Sequence, residues 1–153
     1  MNIQNKYRTH YCGKISEEMV GEEVRLAGWV ENVRDHGGIT FVDLRDHFGY
    51  VQVVINDSAM IKNVSRESTV SVLGKVERRT EENINPKIAT GMVEVKCQSL
   101  EVVGKCTSML PFEVADSVET KEELRLKYRF LDLRNPVMHK KIQLRSEILH
   151  FLR

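Results

Sequence analysis

Five runs of β-forming residues, each with a side-chain period of two, occupy most of residues 24–103. One short stretch of helical period interrupts them. Residues 24–34 form the first run, where the alternation breaks near Gly28 and predicts a bulge or sharp bend. Arg34-Asp35-His36-Gly37-Gly38 reads as a turn. In the second run, residues 40–45, Val42 and Leu44 point one way and Phe41, Asp43 and Arg45 the other. Asp46-His47-Phe48-Gly49 closes a hairpin into residues 50–55. There Val51, Val53 and Ile55 share one face, and Tyr50, Gln52 and Val54 the other. Met60, Ile61 and Val64 then recur at helical spacing. A fourth run, residues 69–79, has Val70, Val72 and Val76 as its apolar side. A polar loop over 80–91 leads to the fifth, residues 92–103, where Val93, Val95 and Cys97 oppose Met92, Glu94 and Lys96.

Three strands, a short helix and two more strands is the order of a five-stranded OB-fold, a Greek-key barrel in a mainly β chain. A sandwich also accommodates short strands with turn signals. The bent first strand and the single helix after the third favour the barrel. Ser16 is placed to cap a short N-terminal helix, with Glu17 and Glu18 in its first turn and Gly21 as its stop. Beyond the barrel, Met109-Leu110-Pro111-Phe112 opens a linker, and Thr120-Lys121-Glu122-Glu123 can cap another short helix. Asn135-Pro136 opens a further helix, with Asn as N-cap and Pro at the first helical position. Its apolar residues, Met138, Ile142, Leu144, Ile148, Leu149, Phe151 and Leu152, fall on more than one face. Such a helix requires partners on several sides. The expected organisation is a barrel over 1–108, a helical hinge over 109–134 and the start of a truncated further domain over 135–153.

The chain has 153 residues, of which 41% are hydrophobic, enough to bury a core. A net charge of +1 does not itself announce a polyanionic partner, so any nucleic-acid binding must rest on local charge and base contacts. Cys12, Cys97 and Cys106 form no metal-ligand spacing and are odd in number, which suits free thiols in a reducing cytosol. The five histidines show no ligand spacing either. There is no apolar leader and no run of about 20 apolar residues, so neither a signal peptide nor a membrane span is expected. No P-loop, G-x-S-x-G or dinucleotide fingerprint appears, and no catalytic residue is assigned.

OB-folds bind oligonucleotides on the face of strands two and three and in the loops after strands one and four. Phe41 is the aromatic on the polar face of strand two. It either stacks on a splayed base or is covered by a neighbouring loop. Gln52, on the same face of the next strand, has the donors and acceptor to read a base edge, or is an ordinary solvated residue. Glu94 suits a base edge presenting N–H groups, or pairs with Lys96 or Arg79. Arg34, Arg78, Arg79 and Lys87 lie in or beside the two loops and suit phosphate contacts or stacking. Asn83 and Asn85 read bases or make turns. His36 sits beside the presumed reading face.

The residues then resemble a known family. Arg8-Thr9-His10-Tyr11-Cys12-Gly13, Gly28-Trp29-Val30 with Arg34-Asp35-His36-Gly37-Gly38, and Phe41-Val42-Asp43-Leu44-Arg45-Asp46 look like the N-terminal domain of bacterial aspartyl-tRNA synthetases. So do Val51-Gln52-Val53-Val54, Asn83-Ile84-Asn85-Pro86, Ala89-Thr90-Gly91, Leu110-Pro111-Phe112, and above all the segment from Glu123 through Tyr128-Arg129-Phe130-Leu131-Asp132-Leu133-Arg134. The resemblance implies an anticodon-binding barrel, a hinge and a class II catalytic domain that uses ATP and Mg2+ to join aspartate to tRNA. It implies that Phe41 stacks on an anticodon base, that Gln52 and Glu94 hydrogen-bond to anticodon bases, and that Arg34, Arg79, Asn83 and Asn85 line the same site. It further implies tRNA-Asp as partner with tRNA-Asn as a second, no DNA, a cytoplasmic homodimer, and an inactive fragment without its own cofactor. Two positions depart: Asn135 stands where many relatives carry a second arginine, and His36 where some carry leucine. The latter position is implied to affect tolerance of tRNA-Asn.

Three other readings share the barrel. An asparaginyl- or lysyl-tRNA synthetase has the same F-x-D-L-R-D core. A stand-alone single-strand-binding module needs no further domain. A protein-interaction barrel would present Phe41 and Tyr50 to a partner chain.

Overall fold

A computed structural model describes residues 5–62 and 64–153. The reading of the first residues as lacking an apolar leader falls partly outside that range. The chain forms two compact units, Met1–Thr107 and Ser108–Arg153. The first contains β1 (Glu23–His36), β2 (Ile39–Asp46), β3 (Gly49–Ile55), β4 (Thr69–Arg78) and β5 (Val93–Gly104). They close into a barrel in the order β1-β2-β3-β5-β4. Neighbours are antiparallel except β3 and β5, which pair in parallel at Val53↔Val95 and Val54↔Lys96. This is the expected OB-fold.

The inward residues are those that alternation selected. Leu26, Leu44, Val53, Val72 and Val95, one from each strand, are each at most 1% exposed. Cys12, Ile15 and Ile61 join the same core from outside the strands. Burying aliphatic side chains contributes about 1.5–3 kcal/mol each, and this core is dense in valine, whose branched side chain suits a pleated wall.

In β1 the inside-outside pattern runs unbroken from Val24 through Gly28 to Val30, contrary to the expected break. The irregularity comes later, as a register shift between Val30 and Asn32. Gly28 serves a different purpose: a Cβ there would stand 2.3 Å from the Arg45 carbonyl oxygen, so the backbones meet where only glycine fits. The helical segment after β3 is a single 3-10 turn, Ser58–Ile61. The Asp57 carboxylate accepts the Ala59 amide at 3.0 Å. Ile61 and Val64 pack on the core while Met60 is 37% exposed. The N-terminal helix is likewise a 3-10 turn, Glu17–Met19, and Ser16 precedes it without a side-chain cap.

The outer face of β2 is not a solvated polar face. Asp43 is 9% and Arg45 7% exposed. Arg45 Nη2 donates to Glu67 Oε1 at 2.5 Å, with both side chains under a tenth exposed. Glu67 arrives from the loop before β4 with a φ of 61°, a conformation uncommon outside glycine, asparagine and aspartate. Its amide donates to the Val30 carbonyl at 2.7 Å, and Val30 in turn donates to Ser68. The backbone bonds thus pin this loop to β1 at its bulge, and the ion pair ties it to β2.

In the second unit, α1 (Glu122–Lys127), α2 (Arg129–Asp132) and α3 (Pro136–Leu152) follow an irregular stretch. Lys121, not Thr120, stands at the N-cap of α1, and no side chain caps it. Asn135 caps α3 as expected, accepting from the Val137 and Met138 amides. It is 1% exposed, and its Nδ2 also donates to the Val114 and Ala115 carbonyls, both at 2.9 Å. Asp132 is fully buried and accepts from Ser117 Oγ (3.0 Å), Arg125 Nε (3.0 Å) and Arg129 Nη1 (2.5 Å). Burial alone would raise its pKa. The bonds from Arg125 and Ser117 and the charges of Arg125 and Arg129 outweigh that and hold the carboxyl below its ordinary value. Ile142, Leu144, Ile148 and Leu149 of α3 are 40–58% exposed.

Two outcomes are expected. Arg45→Met breaks the buried Arg45–Glu67 pair and costs about 3 kcal/mol in urea unfolding; a loss within ~0.5 kcal/mol would remove the ion pair from its structural role. A carboxyl depressed in the fold stabilises above its unfolded pKa, near 3.8, and loses that contribution as pH falls through its folded value. Asp132→Asn should therefore lower stability at neutral pH, with the gap to the unsubstituted chain closing below about pH 4 in acid titrations followed by helical circular dichroism.

Candidate nucleic-acid interface

The outer residues of β2 and β3 and the ends of two loops line a cleft of about 390 Å³, bordered by Arg34, His36, Ile39, Phe41, Gln52 and Asn83. Phe41 is half-buried rather than covered over, so its ring is part of the cleft wall. The His36 ring meets it edge-on, 5.5 Å between centroids at 81°. Gly37 and Gly38 adopt φ values of 66° and 110°, which lets the β1–β2 connection reverse tightly enough to bring His36 beside Phe41. Ile39, 43% exposed, was missed by the sequence reading, although it shares the parity of Phe41 along β2.

Charge at the floor of the cleft is paired. Arg34 Nη2 donates to Asp43 Oδ1 at 2.8 Å; the arginine side chain stays 50% exposed and the aspartate 12%. Arg34 thus offers most of its guanidinium to the cleft while one edge is fixed. Gln52 lies opposite Asp43 in register and donates from Nε2 to Glu94 Oε2 at 3.1 Å. The parallel β3–β5 pairing makes that contact possible, because it carries Glu94 alongside Gln52. Burial raises the Glu94 carboxyl above its ordinary pKa; Arg79, with Nε 4.0 Å from Oε2, and the Gln52 bond partly offset this.

Arg79 is placed differently from the loop cation that its sequence position suggested. It is 7% exposed. Its Nε donates to the Val93 carbonyl at 2.9 Å and Nη1 to the Asn83 carbonyl at 3.4 Å, while Nη2 is buried without a partner among the described residues. It holds the 80–91 loop to β5 from beneath. Asn83 itself reaches the cleft, its Nδ2 donating to Thr80 Oγ1. Asn85 makes a turn, accepting the Lys87 amide on Oδ1 and, through its backbone, pairing with Gly91. A Cβ on Gly91 would overlap the Asn85 carbonyl, which accounts for the glycine there. Arg78 is exposed and paired with Glu17 at 2.5 Å, and Lys87 is exposed. Phe41, Gln52, Arg34, His36 and Asn83 therefore converge on one cleft, Glu94 and Arg79 support it, and Asn85, Arg78 and Lys87 do not line it.

The arrangement is a one-sided ring face flanked by an amide, a carboxylate and a partly free guanidinium. It can hold a flat, hydrogen-bonding group and neutralise a nearby anion. Among the described residues no group of three or more His, Cys, Asp or Glu could hold a metal ion.

Comparison with known proteins agrees with the fold. An aspartate–tRNA(Asp/Asn) ligase of Chlorobium phaeobacteroides is 43% identical over 99% of this chain and 26% of its own length. One from Xanthobacter autotrophicus is 47% identical over 97% of this chain and 24% of its own. The chain thus spans about a quarter of the length of these curated relatives. The crystal structure of asparaginyl-tRNA synthetase from Pyrococcus horikoshii with asparaginyl-adenylate superposes with a TM-score of 0.66 and 31% identity, covering 83% of this chain and 29% of that one. The tRNA anti-codon family model, described as an OB-fold nucleic acid binding domain, matches residues 24–103, the span of the barrel, and the chain belongs to that family.

Proposed function

We propose that the barrel reads the anticodon of tRNA-Asp, and of tRNA-Asn as well, on behalf of an aspartate–tRNA ligase. The observation that carries this reading is the convergence of Phe41, Gln52 and Arg34 on one cleft, with Glu94 hydrogen-bonded to Gln52 behind it. Phe41 stacks on an unstacked base. Gln52 and Glu94 take its hydrogen-bonding edge or that of its neighbour, and Arg34 meets a phosphate or a second base. Arg79 keeps Asn83 and Glu94 in position. The dual tRNA specificity is supported by the names of the curated relatives.

In the same reading the ligation belongs to a class II domain beyond this chain, which binds aspartate, ATP and Mg2+. The chain alone holds no catalytic group and charges no tRNA. The whole enzyme is a cytoplasmic homodimer. The asparagine and lysine alternatives receive less support, since the curated relatives described above carry the aspartate name.

Binding of this chain to a tRNA-Asp transcript, to the same transcript with a scrambled anticodon, and of Phe41→Ala to the intact transcript tests the reading. Both changes should weaken binding, the lost stack by about 1–3 kcal/mol. Equal affinity in all three would move the barrel to the protein-interaction class. His36→Leu, whose ring leaves the edge of Phe41, should alter the ratio of affinities for tRNA-Asp and tRNA-Asn; an unchanged ratio would take His36 out of specificity.

A further inference from the structure

The Arg8-Thr9-His10-Tyr11-Cys12-Gly13 motif has no place in the cleft. It builds a second surface at the other end of β2. The Cys12–Lys14 turn packs backbone to backbone on the β2–β3 hairpin, where a Cβ on Gly13 would stand 2.3 Å from Phe48 backbone atoms. The buried Asp46 carboxylate locks the two together, one oxygen accepting the Cys12 amide at 2.6 Å and the other the Phe48 amide at 2.8 Å. On this base Tyr11 lies edge-on to His47 (5.0 Å) and Phe48 (4.6 Å). The Arg8 guanidinium sits 4.2 Å from the Tyr11 ring centre, and the Lys14 ammonium 4.3 Å from that of Phe48.

Neither Arg8 nor Lys14 forms an ion pair among the described residues; Lys14 is exposed, while Arg8 is half-buried, with Nε buried and without a hydrogen-bond partner among the described residues. The rings carry the cations on their faces. They serve as rests that restrict the two long side chains, not as open platforms for a base. A surface of fixed, unpaired positive charge with its ring faces taken suits phosphates better than base edges or an apolar peptide. Along β2 the lock at Asp46 lies five residues beyond Phe41, about 17 Å away at ~3.3 Å per residue, so one RNA that fills the cleft with its loop can lay its adjoining stem along this side of the barrel.

We propose that Arg8 and Lys14 bind the backbone phosphates of the helical stem of the same RNA whose loop occupies the Phe41 cleft. This inference rests on the anticodon-reading proposal. The contact is blind to sequence and sets register and affinity.

The test measures binding of the 153-residue chain to an anticodon stem–loop RNA and to the single-stranded loop alone, across a salt series. Lys14→Gln and Arg8→Gln should each weaken stem–loop binding severalfold and reduce the slope of log K against log salt by about 1, with loop-alone binding unchanged. Lys14→Arg, which keeps the charge over Phe48, should restore both. Thermal melting of each variant controls for folding, and Lys14, being exposed, should leave it unchanged. Phe41→Ala should weaken both RNAs with the slope intact. Stem–loop affinity and slope unchanged in Lys14→Gln would overturn the proposal and leave the motif as a structural lock or a protein-facing surface. A loss with Lys14→Gln but none with Phe41→Ala would keep the phosphate contact and sink the anticodon reading instead.

Discussion

β1 must pair with two partners that lie on different sides of the barrel. Glu23 through Trp29 pair with β4, and Trp29 through His36 pair with β2. A flat strand cannot do this, because closure requires tilt and a change of direction. The chain changes partner at Trp29, beside Gly28, where the Arg45 backbone comes too close for any side chain, and changes direction at the register shift that follows Val30. The Arg45–Glu67 pair then closes over the same place from outside. Everything that borders the cleft on the β1 side, from Arg34 to His36, leaves the barrel in a direction set by that turn.

Much of this could be read from the residues. Period-two alternation put Val42 and Leu44 inside and Phe41 and Gln52 outside, and the five strands lie within two residues of the expected bounds at every end. Asn135 before Pro136 capped its helix as anticipated. These are local rules, in which a residue's own pattern or its next few neighbours decide the outcome.

What could not be read depends on partners distant in sequence. Alternation assigned Asp43 and Arg45 to the outer face but could not say that Arg34 and Glu67 would come to cover them. Arg79 looked like a loop cation, yet the carbonyls of Val93 and Asn83 draw it inward. Glycine was correctly taken as a mark of something unusual in β1, but close approach and bulge are two different uses, and only the structure separates them. Asn135 was legible as a cap and illegible as a tie to Val114 and Ala115, some twenty residues earlier.

The parallel pairing of β3 with β5 has a consequence in time. Phe41 and Gln52 come from a hairpin that can form early, since its residues are close in the chain. Glu94 joins Gln52 only after β5 has threaded between β3 and β4, and pairing of that kind is slow because a long loop must first close. The complete cleft, with Glu94 behind Gln52, is therefore among the last features to exist. A chain emerging during synthesis owns a platform without its hydrogen-bonding wall until residues beyond 94 are available. Partly folded molecules thus lack the complete cleft, and a formed Gln52–Glu94 contact doubles as a report that the barrel has closed.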